Sequence, residues 1–148
     1  MAVPVIFDKD YKFEIGRGVK LADGTDVSLI ATGIEVEQAL AARELLAAEG
    51  ISASVINIHT IKPLDEDLVV AEAQKTGAVV TCEEHSIIGG LGGAVAECLS
   101  AKCPTPVLRV GVEDTFGRSG PAKELVSYFG LDAAAIVAKA KAAVALKK

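Results

Sequence analysis

Tryptophan is absent from the chain, methionine occurs once, and the aromatic residues are limited to 2 Tyr and 4 Phe. With a formal net charge of −5, the sequence lacks both the basic footprint and the stacking rings on which nucleic-acid binding usually relies. No apolar run approaches the roughly 20 residues that span a bilayer. Asp8-Lys9-Asp10 interrupts the N-terminus before a signal-like apolar stretch can form, so a soluble cytoplasmic protein is expected. The three cysteines, Cys82, Cys98 and Cys103, are odd in number and form no Cys-x-x-Cys pair. Buried reduced thiols are expected, and neither a disulfide framework nor a zinc site is indicated. The two histidines, His59 and His85, have no ligand-spaced partners, and no Gly-x-Ser-x-Gly elbow is present. No catalytic or metal-binding residue is assigned.

What the sequence does have is a substantial apolar fraction, 51% of 148 residues, enough to fill the core of one domain. Residues 1–12 read as an arm or linker, and residues 13–148 as the domain. Phe13–Leu21 looks extended, with Gly16-Arg17-Gly18 placed as a bulge in an edge strand. Ala22-Asp23-Gly24-Thr25 carries a turn signal and Val27–Ala31 a second strand, which predicts an antiparallel hairpin. Strand and helix then alternate. Thr32-Gly33-Ile34-Glu35 has capping-box spacing and opens a helix whose stripe is Val36, Ala39, Leu40, Leu46 and Ala47, stopped by Gly50. Strands follow at 53–58, 78–82 and 107–110, and helices begin at Asp65-Glu66-Asp67, near Ala94, after Gly120-Pro121 and at Asp132. The pattern predicts an α/β three-layer sandwich with a five-stranded mixed sheet, four parallel strands and one antiparallel edge strand.

Two stretches fall at the carboxyl ends of parallel strands, where open α/β sheets bind ligands. The first is Glu83-Glu84-His85 followed by Gly89, Gly90, Gly92 and Gly93. These glycines suit either a phosphate or carboxylate cradle at a helix N-terminus or close packing against another chain. The dinucleotide fingerprint fails at its last glycine, and two glutamates repel phosphate, so an interface is preferred to an anion site. The second is the loop Asp114, Phe116, Arg118 and Ser119, composed for recognition. Its simpler reading has Ser119 capping the next helix and Arg118 pairing with Glu113 or Asp114. His59 reads as a loop histidine.

Taken in order and spacing, Ala31-Thr32-Gly33-Ile34-Glu35-Val36, Thr60-Ile61-Lys62-Pro63-Leu64-Asp65, Glu83 through Gly93, and Asp114-Thr115-Phe116-Gly117 through Gly120-Pro121 resemble the C-terminal domain of transketolase. The likeness runs from about Phe13 to the end. Deoxyxylulose phosphate synthase and the β subunits of 2-oxo-acid dehydrogenases carry related domains, but the wording is most similar to transketolase, particularly the C-terminal chain of its split form. The resemblance implies a part of an enzyme of the pentose phosphate pathway that moves two-carbon ketol units between sugar phosphates with thiamine diphosphate and Mg2+. In that family a Gly-Asp-Gly…Asn-Asn motif of an N-terminal domain holds the cofactor and a middle domain supplies the activating glutamate. Here Ala22-Asp23-Gly24 sits on a turn and Asn57 is the single asparagine, so no cofactor site is expected in this domain. The resemblance thus implies a third domain with a new start codon, inactive by itself, serving assembly and dimerisation with the N-terminal and middle domains. The rival expectation is a regulatory module binding a small anion or nucleotide at Gly89–Gly93.

Overall fold

The strand Val27–Ala31 is buried along its whole length, as a strand covered on both faces and flanked on both edges must be. In the computed structural model, which describes residues 3–147, it is β2, the centre of a five-stranded sheet. The strands are β1 (Val19–Ala22), β2, β3 (Ala53–Asn57), β4 (Val79–Ser86) and β5 (Val107–Val112), in spatial order β1-β3-β2-β4-β5. β2 runs parallel to β3 and to β4, and β4 parallel to β5, while β1 lies antiparallel on the outer edge of β3. The architecture is therefore the α/β sandwich expected, with four parallel strands and one antiparallel edge. The first two residues of the N-terminal arm, 1–2, and the last residue, 148, lie outside the described residues.

Helices α1 (Glu35–Ala48), α2 (Glu66–Thr76), α3 (Leu91–Lys102), α4 (Ala122–Tyr128) and α5 (Ala133–Ala145) complete the chain. α1 and α5 cover one face, packing Val36, Ala39, Ala42, Leu46, Ile136, Ala140 and Ala143 on Val27, Leu29 and Ala31. α2 and α3 cover the other, packing Val69, Ala73, Leu91, Val95 and Leu99 on Ile30, Ile56 and Ile58. Asp65 and Asp132 cap α2 and α5, accepting from the N–H groups of Leu68 and Ala135, which satisfies donors that a helix start leaves free. In the predicted α1 stripe, Leu40 is only half-buried and Ala47 exposed, and Ala42 takes the inner position.

Three local expectations are corrected. The first two strands do not form a hairpin, because β3 is inserted between them. The Asp-Gly turn instead crosses the start of β3: the N–H groups of Thr25 and Asp26 donate to Ser52 O, and Asp26 Oδ2 accepts from Ser52 N at 2.7 Å. β2 is apolar enough to require a partner on each side, and β1 is left to close the outer edge. Second, Gly16-Arg17-Gly18 lies before β1, in and after a turn, and the register shift falls between Lys20 and Ala22. Third, no capping box forms. Ile34 is the N-cap of α1 without a side-chain bond, since Thr32 is held through its own N–H on Cys82 O and Glu35 is turned inward and buried.

The strand crossing gives a direct test. A Cβ on Gly24 would overlap the backbone of Ala53 and Ser54, so Gly24→Ala should destabilise the chain by about 1–3 kcal/mol. Gly93, inside α3 with nothing within 4 Å of an added Cβ, should gain about 0.5–1 kcal/mol on substitution by Ala. Urea unfolding of the two variants checks the opposite signs.

Candidate functional site

The carboxyl ends of β2, β3, β4 and β5 form one rim, and both sequence-predicted loops leave from it. β4 outruns β2, whose register with it ends at Ala31↔Cys82, so Glu83–Ser86 projects past the central strand. Side chains alternate along a strand. Thr81 and Glu83 accordingly face α3, while Cys82 and Glu84 face α1 and α5.

Glu83 is buried, and its two carboxylate oxygens accept from the N–H groups of Leu91 at 2.7 Å and Gly92 at 2.9 Å. The free donors and positive dipole end of α3 are thereby met by a carboxylate of the chain itself. The glycines divide by neighbourhood. A Cβ on Gly90 would overlap the Glu83 carboxylate; one on Gly92 would stand 2.7 Å from Arg109 Cδ and 2.9 Å from Thr81 Oγ1. Gly89 has φ +79, a left-handed conformation that favours glycine. Arg109 Nη1 donates to Ile87 O at 2.8 Å and Ile87 N to Val112 O, tying the loop to β5. His85 is exposed with Nδ1 2.9 Å from Ser86 O, and Ile88 is exposed beside it.

On the opposite face, Glu35 is fully buried and neither carboxylate oxygen has a hydrogen-bond partner among the described residues. Burial, then the nearby Glu84 and Asp132 charges, push its carboxyl up to about 8, since a low-polarity surrounding penalises the charged form. Burial also raises the Cys82 thiol, with Glu35 and Glu83 adding to it. Glu84 is exposed and lies against Gly33, where a side chain would collide with its carboxylate. The sequence placed Glu35 in a helix cap and missed it as a buried acid. The available signal was its position just past the end of an apolar strand, β2, which pairs with the strand that carries Glu83-Glu84.

The β5 loop is exposed throughout, Phe116 by 98%. Two expectations for it are corrected. Ser119 does not cap α4, whose N-cap is Pro121. Among the described residues Arg118 makes no ion pair with Glu113 or Asp114; its guanidinium lies 4.6 Å from the centre of the Tyr128 ring, where the ring face attracts it. Asp114 extends into solvent. His59 bonds Thr60 Oγ1 through Nδ1 at 2.9 Å and has the Phe13 ring at 4.4 Å.

These residues do not fit a diphosphate–metal group. Asp23 is paired with Lys20 and Lys75, Gly24 is pressed on β3, and the α3 N-terminus is filled by Glu83. Among the described residues no group of three His, Cys, Asp or Glu side chains could hold a metal ion, and no helix is long and apolar enough to cross a membrane.

The family model described as Transketolase, C-terminal domain, matches residues 16–136. Over 126 residues the chain is 53% identical to a 6-deoxy-6-sulfo-D-fructose transketolase subunit of Clostridium sp. (strain MSTE9), covering 85% of this chain and 39% of that protein. Over 128 residues it is 43% identical to a 1-deoxy-D-xylulose-5-phosphate synthase of Syntrophotalea carbinolica, covering 86% of this chain and 20% of that one. A solved structure titled split gene transketolase, inactive beta4 tetramer, superposes with a TM-score of 0.95 at 50% identity, covering 99% of this chain and 48% of its own. The chain belongs to the transketolase C-terminal domain family, and it spans less than half the length of each of these relatives.

Two outcomes follow from the buried acids. Glu83→Ala leaves two buried N–H groups without acceptors and should cost about 2–4 kcal/mol. For Glu35, the unfolded chain loses the proton in the ordinary carboxylate range while the folded chain keeps it to about 8. Stability therefore falls as pH rises between those values, by up to about 1.4 kcal/mol per pH unit. Glu35→Gln should remove that dependence, which unfolding at pH 5 and pH 8 would reveal as a widening difference from the parent.

Proposed function

We propose that this chain is the assembly domain of a transketolase, holding catalytic partner domains in register without performing ketol transfer itself. The observation that carries this is a group of exposed apolar side chains at the rim. Ile61, Ile88 and Phe116 stand on the loops that follow β3, β4 and β5, three successive loops of one rim, and Phe13 joins them through His59. Exposed apolar groups gathered on one side mark a surface that another protein covers. The length of the relatives beyond this domain supplies candidates for the cover: N-terminal and middle domains, in the same chain or a separate one, and a second subunit of a dimeric enzyme. The solved relative is itself titled as an assembly of β chains.

In this reading thiamine diphosphate and Mg2+ belong to those other domains, where the cofactor supplies the carbanion-stabilising chemistry of two-carbon transfer. This domain contributes rigidity. Holding reacting groups in place accounts for roughly 7–11 kcal/mol of barrier lowering in favourable cases. The same role fits the equivalent domain of deoxyxylulose phosphate synthase or a 2-oxo-acid dehydrogenase β subunit; the transketolase assignment rests on the higher likeness to transketolase subunits. An anion-binding module at Gly89–Gly93 has less support, because Glu83 already occupies the position that an anion would take.

The test is reconstitution. The chain alone, given thiamine diphosphate, Mg2+ and sugar phosphates, should show no turnover, and addition of the N-terminal and middle domains as a separate polypeptide should give a stable complex with ketol transfer. Replacing Ile88 and Phe116 by Ser should weaken that complex at least tenfold and change the domain's own stability by about 0.5 kcal/mol or less, as surface substitutions do. Turnover by the chain alone, or a complex indifferent to both substitutions, would defeat the reading.

A further inference from the structure

At the centre of the rim the chain crossovers diverge: β2 leads through α1 to β3 on one side, and β4 leads through α3 to β5 on the other. Parallel sheets hold ligands in the crevice at such a switch point, here the ends of β2 and β4. Acidic groups gather there. Glu84 lies against Gly33, Glu35 is enclosed nearby with neither oxygen partnered among the described residues, and Asp132 stands at the start of α5 with one oxygen spent on Ala135 N. Among the described residues no Lys or Arg forms an ion pair with Glu35, Glu84 or Asp132. A carboxyl group enclosed in the fold without a hydrogen bond is a costly arrangement to keep, and a positive group brought to this crevice would offset it.

Resting on the assembly reading above, we propose that this crevice receives one cationic side chain, a guanidinium or ammonium group, from the domains that complete the enzyme. The cation meets the exposed Glu84 first, and its charge favours the ionised form of Glu35 behind it. Docking then releases a proton. The charged and titratable groups around Glu35 are Glu84 and Cys82 on β4 and Asp132 at α5, so among the described residues no counter-charge faces it, and affinity for a cation rises as pH is raised through the range in which Glu35 titrates.

The experiment uses the full chain, labelled with 15N, and the probe argininamide, with citrullinamide as its uncharged isostere, both Nα-acetylated so that the guanidinium is the one charge that differs and neither probe titrates between pH 7 and pH 8.5. Argininamide should shift the amide resonances of Gly33, Glu84 and Glu35 in a saturable manner, more tightly at pH 8.5 than at pH 7. Citrullinamide should not, Glu84→Gln should weaken the effect at least tenfold, and Glu35→Gln should flatten its pH dependence. Glu84 is exposed, so the variant's retained spectrum shows that its fold is intact. No saturable shift, an equal effect of citrullinamide, or an effect unchanged in Glu84→Gln would overturn the proposal. An equal response to Mg2+ alone would overturn it in favour of a metal site. Because the probe acts on the lone chain, this result is separable from reconstitution: binding of argininamide without complex formation would refute the assembly reading and leave the crevice standing, and a complex untouched by Glu84→Gln would do the reverse.

Discussion

The bond pair from the Glu83 carboxylate to the N–H groups of Leu91 and Gly92 decides the character of the rim. Parallel α/β sheets expose helix N-termini at their carboxyl edge, and that is where anionic ligands are held. Here the chain supplies its own anion. The glycines that would let a phosphate approach instead give Glu83 room at Gly90 and Arg109 room at Gly92, and the loop beyond is pinned to β5 through Arg109 and Ile87. The same constraint bears on where Ile88 and His85 stand, so the path of the loop follows from one buried carboxylate.

The alternation of β4 then distributes acid to both faces. Glu83 finds backbone donors on the α3 side, whereas on the α1 and α5 side Glu35 has none among the described residues and Glu84 is exposed. Two neighbouring glutamates in the sequence thus have opposite circumstances: one satisfied within the domain, the other part of an acidic crevice that the domain leaves uncompensated. If the rest of an enzyme is met across this rim, as we propose, the unpaired acid gives a charge-specific point of registration.

Much of the architecture was legible in the sequence because its signals are local or periodic: the buried apolar strands, Gly50 as a helix stop, the acidic helix start at Asp65 and Asp132 as a cap. The pairing of β1 was not, since a turn signal at Asp23-Gly24 does not reveal that β3, nearly thirty residues later, will enter between β1 and β2. The site was legible in its residues and not in their roles. Glu83 through Gly93 stood out by composition, but which glutamate plugs the helix depends on strand alternation set by the sheet register. Glu35 was concealed by capping-box spacing, which tertiary packing overrode. Arg118 was assigned a carboxylate partner from proximity in sequence, and the fold offered it an aromatic ring.

Glu83 occupies the place an anionic ligand would need. The most direct measurement is an NMR titration of the chain with inorganic phosphate, followed at the Gly89–Gly93 amides in the parent and in Glu83→Ala. No saturable response is expected in the parent, and one should appear in the variant, where the vacated N–H groups of Leu91 and Gly92 become available. Saturable phosphate binding at these amides in the parent chain would contradict it.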